Sequence, residues 1–171
     1  MQHEIINKLN QSQIKILKGL VGQTLYSVFV DEAGEFALSV VLDTGNKYIS
    51  LRNIPTIQSD DDEYPCLVVE ETAANLKEYK QITIGKNIEG INIVRDKTSW
   101  QYNKNKWYIE SDIAIKISIK ELNLLLVAHD SLAGFIKVIN TKESLPNDVF
   151  DEFWSMKTEM LDFLERKELS I

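Results

Sequence analysis

Between Trp107 and Asp130, isoleucine recurs at every second position, at 113, 115, 117 and 119. A period of two sends side chains to one face of a pleated strand, so the stretch predicts a strand with a buried isoleucine face. Lys120-Glu121-Leu122-Asn123 is a polar break short enough for a hairpin, and Leu124–Ala128 returns as a second strand, apolar on both faces. A hairpin this apolar must sit inside a larger sheet with cover on it.

Other segments supply that sheet. Leu25–Val30 and Phe36–Leu42 predict an antiparallel pair joined by Asp31–Glu35, and Tyr48–Asn53 follows a turn at Asp43–Lys47 that contains Gly45. Leu67–Val69, Ile82–Ile84 and Ile88–Val94 read as further strands, and Leu132–Ile139 as an edge strand. Glu70–Lys80 reads as loop or as one or two helical turns.

Two helices are expected as cover. His3–Leu20 places Ile5, Ile6, Leu9, Ile16, Leu17 and Leu20 near helical spacing, with Gln11-Ser12-Gln13 interrupting the apolar face, and reads as one interrupted helix or two short ones ending at Gly19 or Gly22. Pro146–Leu169 opens on Pro146-Asn147-Asp148, with acids where the helix dipole favours them. Its stripe of Val149, Phe153, Met156, Met160 and Phe163 is broad enough to lie across a sheet. The pattern of Leu20–Val30 recurs in Thr83–Ile93, which suggests an internal duplication of residues 20–53 and 83–128, with an insertion around Lys97–Lys106. The expected fold is therefore α+β: one domain over 1–171, built of antiparallel β meanders in two similar three-stranded halves, with an N-terminal helix and a C-terminal amphipathic helix packed on the sheet.

Composition limits what such a domain does. The net charge of -7 opposes attraction to nucleic acid or an anionic membrane and favours a basic protein partner. No apolar run approaches the roughly 20 residues that cross a bilayer. The opening Met-Gln-His-Glu lacks the pattern of a signal peptide, and Cys66 has no second thiol, so a cytoplasmic setting is expected. With only His3 and His129 there is no histidine cluster for zinc, and neither a metal site nor a cofactor is expected. The pair His129-Asp130 lacks the further ligands of a metal phosphohydrolase. Cys66, with acids on both sides in sequence, reads as structural. No nucleophile elbow or glycine-rich phosphate loop is present, so no catalytic residue is assigned.

Two segments stand out as binding surfaces. Thr56–Asn75 holds Asp60, Asp61, Asp62, Glu63, Glu70 and Glu71 with no Lys or Arg among them, and Tyr64 follows the acidic run as a candidate anchor. Trp100, Tyr102, Lys104, Lys106 and Trp107 form a basic and aromatic patch that suits a planar ligand or single-stranded nucleic acid. The plainer reading of that patch is a hairpin, with Asn103-Lys104-Asn105-Lys106 as its turn and aromatic side chains paired across it.

In size, acidity, lack of catalytic clusters and expected architecture, the chain resembles bacterial immunity proteins that neutralise a cognate toxin domain. That resemblance implies a tight, non-enzymatic inhibitor whose acidic surface meets a basic, possibly nuclease, toxin, with the six carboxylates above at the interface. Neutralising Asp60, Asp61 and Asp62 would then slow association and flatten its salt dependence. A scaffolding domain of a bacterial assembly and a hydrolase using scattered carboxylates are the alternatives.

Overall fold

The computed structural model describes residues 1–73, 75–129 and 134–171. In chain order the elements are β1 (Gln2–Asn7), α1 (Gln11–Lys18), β2 (Thr24–Ala33), β3 (Phe36–Asp43), β4 (Tyr48–Asn53), β5 (Thr56–Ile57), β6 (Glu63–Tyr64) and β7 (Leu67–Thr72). They continue with β8 (Lys80–Asn87), β9 (Gly90–Tyr102), β10 (Asn105–Ile119), β11 (Leu122–Ala128), β12 (Ile136–Thr141), α2 (Asn147–Phe150) and β13 (Phe163–Ser170). The architecture is a largely antiparallel sheet with little helix.

β10 and β11 form the predicted hairpin, with Ile119 opposite Leu122. The isoleucine run does not, however, share one face. Asp112 pairs with Arg95 and Ala114 with Val94, which leaves Ile113 as the extra residue of a bulge. A bulge shifts the alternation by one residue. Ile115, Ile117 and Ile119 therefore enter the main core, while Ile113 joins Ala114 in a second cluster.

β2–β3–β4 and β9–β10–β11 are both antiparallel runs. The middle strands β3 and β10 share a feature: one long partner on one edge and two short ones dividing the other. β3 takes β4 along Val40–Asp43 and β12 at Ala37, while β10 takes β11 along its second half and β1, in parallel, along its first. β12 is thus an interior strand between β11 and β3 rather than the predicted edge; Leu132 and Ala133 of the expected Leu132–Ile139 stretch, and Asp130, lie outside the described residues. β7 runs on to Thr72, so Glu70 and Glu71 are strand residues; Ala74 of the expected Glu70–Lys80 segment is outside the description.

The predicted N-terminal helix is present only in part, ending at Gly19 as expected, and the C-terminal one is corrected. His3–Leu20 divides into β1, which alternates exposed and buried residues beside β10, and α1, which starts where the sequence seemed interrupted. The Asn10 side chain accepts from the Gln13 N–H at 2.9 Å, and Gln13 Oε1 accepts from the Asn10 N–H at 2.8 Å, a reciprocal cap that makes Gln11-Ser12-Gln13 the first turn. Pro146–Leu169 is not a helix. α2 stops at Phe150, residues 151–157 continue as turns, and Phe163–Ser170 pairs antiparallel with β9 over its whole length.

The pairing of β13 has a buried cause. Asp96, fully buried on β9, accepts from Arg166 Nε and Nη2 on β13, both at 2.7 Å, and from Trp154 Nε1 at 2.8 Å. Arg166 Nη1 also donates to the Phe150 carbonyl at 2.8 Å, fastening the 146–157 segment onto the sheet. A second buried carboxylate, Asp112, accepts from Arg95 Nε and Nη2 and from the Leu9 N–H at 2.8 Å, which fixes the corner between β1 and α1.

The main core is shared by strands from both halves of the sheet with Leu9, Leu17 and Leu20, so the sheet curls around it. The second cluster, on the other side of β9–β10–β11, holds Ile5, Trp100, Ile109 and Ile113 under Tyr64, Phe150, Phe153 and Trp154. Turns and a two-stranded clip, β5–β6, provide the cover expected of a long helix. No helix among the described residues is long and apolar enough to cross a membrane.

A candidate partner-binding cleft

The acidic and aromatic segments, 40 residues apart in sequence, meet in space. A cleft of about 710 Å³ is lined by Asp60, Asp62 and Tyr64 from the clip, Trp100, Tyr102 and Trp107 from the β9–β10 hairpin, and Met156, Lys157, Glu159 and Met160 beyond α2. The hairpin turns through Asn103, which takes a φ of 55°. Its register sets Trp107 directly opposite Trp100, with the rings stacked at 5.8 Å and 14°. His3 stacks on Trp107 at 5.1 Å and 18°, and Trp100 leans on Trp154 at 6.4 Å. These rings lie against one another, which supports the hairpin reading of the patch over base stacking.

Asp60 is the hub of the clip. Its Oδ2 accepts from the Tyr64 hydroxyl and from Trp107 Nε1, both at 2.7 Å. Burial by itself would raise the Asp60 carboxyl, but the Tyr64 and Trp107 hydrogen bonds outweigh it and hold the group below the ordinary carboxylate range. The Tyr64 phenol is pushed up by burial and by the charge it faces. Lys157 Nζ donates to Asp62 Oδ1 at 3.0 Å and to the Glu63 carbonyl, and lies 4.8 Å above the Tyr64 ring. His3 Nδ1 is 3.0 Å from Ser59 Oγ, a further tie between β1 and the loop.

The predicted site residues thus divide. Tyr64, expected as an anchor for a partner, is 1% exposed and belongs to the second cluster. Trp100 is buried and Trp107 half-buried, while Tyr102 is 69% exposed. Asp61 is exposed at a φ of 62°, and Glu63 Oε2 is buried with no hydrogen-bond partner among the described residues. Glu70 and Glu71 lie apart on β7, where they pair with Arg52 and Lys47 of neighbouring β4 and the turn before it. Lys104 and Lys106 are exposed at the hairpin end, Lys106 lying 5.1 Å over the Tyr108 ring. Cys66 is half-buried, and burial together with the Asp112 charge pushes its thiol up.

Sequence reasoning missed Met156, Lys157, Glu159 and Met160, since their segment read as helix and both methionines as core. Met156 is 71% and Met160 75% exposed. No family model matches the chain, and neither a characterised protein nor a solved structure is significantly similar to it.

Proposed function

We propose that the chain is a non-enzymatic protein-binding module of the immunity type, which neutralises a basic partner by covering it, in a reducing, cytoplasmic setting. The observation that carries this reading is the cleft, where carboxylates and three large exposed apolar side chains, Tyr102, Met156 and Met160, share one rim. Exposed apolar groups beside charge mark surfaces made for association. A hydrolytic role finds less support: the Asp60 carboxyl is held low by the Tyr64 and Trp107 donors, unlike a general acid or base tuned towards neutrality.

The test is capture of a partner by the tagged protein from a lysate of its source organism at low salt, followed by association kinetics on the purified pair. A basic, one-to-one partner whose on-rate falls steeply with ionic strength is expected. An acidic partner, or an on-rate indifferent to salt, counts against the proposal.

A further inference from the structure

The cleft carries a sharper statement, which rests on the protein-binding reading. Its lining holds three carboxylates, Asp60, Asp62 and Glu159, against one ammonium, that of Lys157. Lys157 is already committed: its side chain is 5% exposed and engaged by Asp62, the Glu63 carbonyl and the Tyr64 ring. That arrangement of carboxylate, carbonyl and ring face is also a worked example, within this molecule, of how the loop holds a cation. What remains open to a visitor in the lining is acidic: the partly exposed Asp60 and the exposed Glu159. The apolar part of the rim is Tyr102, Met156 and Met160, and methionine adapts its shape to what it meets.

We infer that this cleft receives a basic amphipathic segment of the partner, an arginine or lysine side chain against Asp60 and Glu159 beside an aliphatic side chain between Tyr102, Met156 and Met160. Charge complementarity selects this occupant. An acidic peptide or a nucleic-acid phosphate brings the wrong sign, and a purely apolar segment leaves the carboxylates facing it without compensation. The cleft is of a size that takes small ligands or several side chains.

The test titrates protein labelled at backbone nitrogen, indole nitrogen and methionine methyl with three acetylated, amidated tetrapeptides: alternating Leu-Arg, alternating Leu-Glu and alternating Gly-Arg. The Leu-Arg peptide is expected to move the Met156 and Met160 methyl and Trp107 indole resonances saturably, the Gly-Arg peptide to do so more weakly, and the Leu-Glu peptide to leave them still. Glu159→Gln, exposed and so compatible with folding, should weaken Leu-Arg binding about twofold to fivefold, as loss of one partly solvated charge pair implies. Unchanged resonances outside the cleft show that the variant is folded. Equal shifts with the Leu-Glu peptide, shifts confined to the Glu70–Glu71 edge, or none at millimolar Leu-Arg peptide would overturn the inference. If a basic partner is captured while these resonances stay fixed, the protein-binding reading stands and the cleft assignment falls. If no basic partner is captured yet the peptide binds as described, the reverse holds.

Discussion

Single carboxylates decide much of how this chain is held together. Asp96 receives three hydrogen bonds from side chains that arrive from two later segments, Trp154 and Arg166. Removing one partner of a buried ion pair leaves the other charge uncompensated, which costs about 3–5 kcal/mol. Asp96→Ala should therefore lower unfolding stability by that order in urea titrations followed by circular dichroism, and Asp96→Leu combined with Arg166→Leu should recover part of it. Asp60 gives a pH effect. Its folded pKa lies below the ordinary 3.8, so its contribution is present in full above that value and is lost as pH falls through the lower folded one. Glu110 and Glu168 act in the same direction: burial opposes their ionisation, but Lys8 beside Glu110, and Lys116, Ser144 and Asn92 around Glu168, hold both low. The urea midpoint should thus fall between pH 6 and pH 3, and Asp60→Asn should lose less over the same interval, after allowance for its lower starting point.

At the scale of elements, turn chemistry is where small changes read out cleanly. Glu121 sits at a φ of 64° in the hairpin between β10 and β11, a conformation that costs a residue with a Cβ about 1 kcal/mol or more. Glu121→Gly should raise the melting temperature, the gain being about 0.5 kcal/mol after the greater freedom of glycine in the unfolded chain is set against it. Glu121→Val should lower it. The hairpin itself was legible because Lys120-Glu121-Leu122-Asn123 is a polar break too short for anything else, although the turn is tighter than read, with Leu122 already paired opposite Ile119. The helices were misread for a definite reason. Phe163-Leu164-Glu165-Arg166-Lys167-Glu168-Leu169 is rich in helix formers, and only the distant Asp96 and the free edge of β9 make it a strand. Asn10 and Gln13, by contrast, were a readable cap signal inside the stretch His3–Leu20, of which only the part from Gln11 to its cap at Gly19 is helix. Ile113 escaped because a bulge leaves no trace in an unbroken period of two.

For the whole molecule, the sequence contained the two halves of the candidate site but not their meeting. Asp60 and Trp107 are named by composition and patterning alone, whereas the bond between them depends on β1 pairing with β10 and on the clip folding over that edge. Pairings of such sequence separation have no local signal. The exposed methionines were hidden by the same long-range effect, since a helix would have buried them. The placement of the aromatic residues has one more consequence. Trp100, Trp107 and Trp154, the only tryptophans in the chain, all lie in or against the second cluster, and none belongs to the main core. Indole fluorescence is therefore a local optical gauge of the cleft end: its emission follows the clip and the turns over β9–β10, and the larger hydrophobic centre of the protein is dark to it.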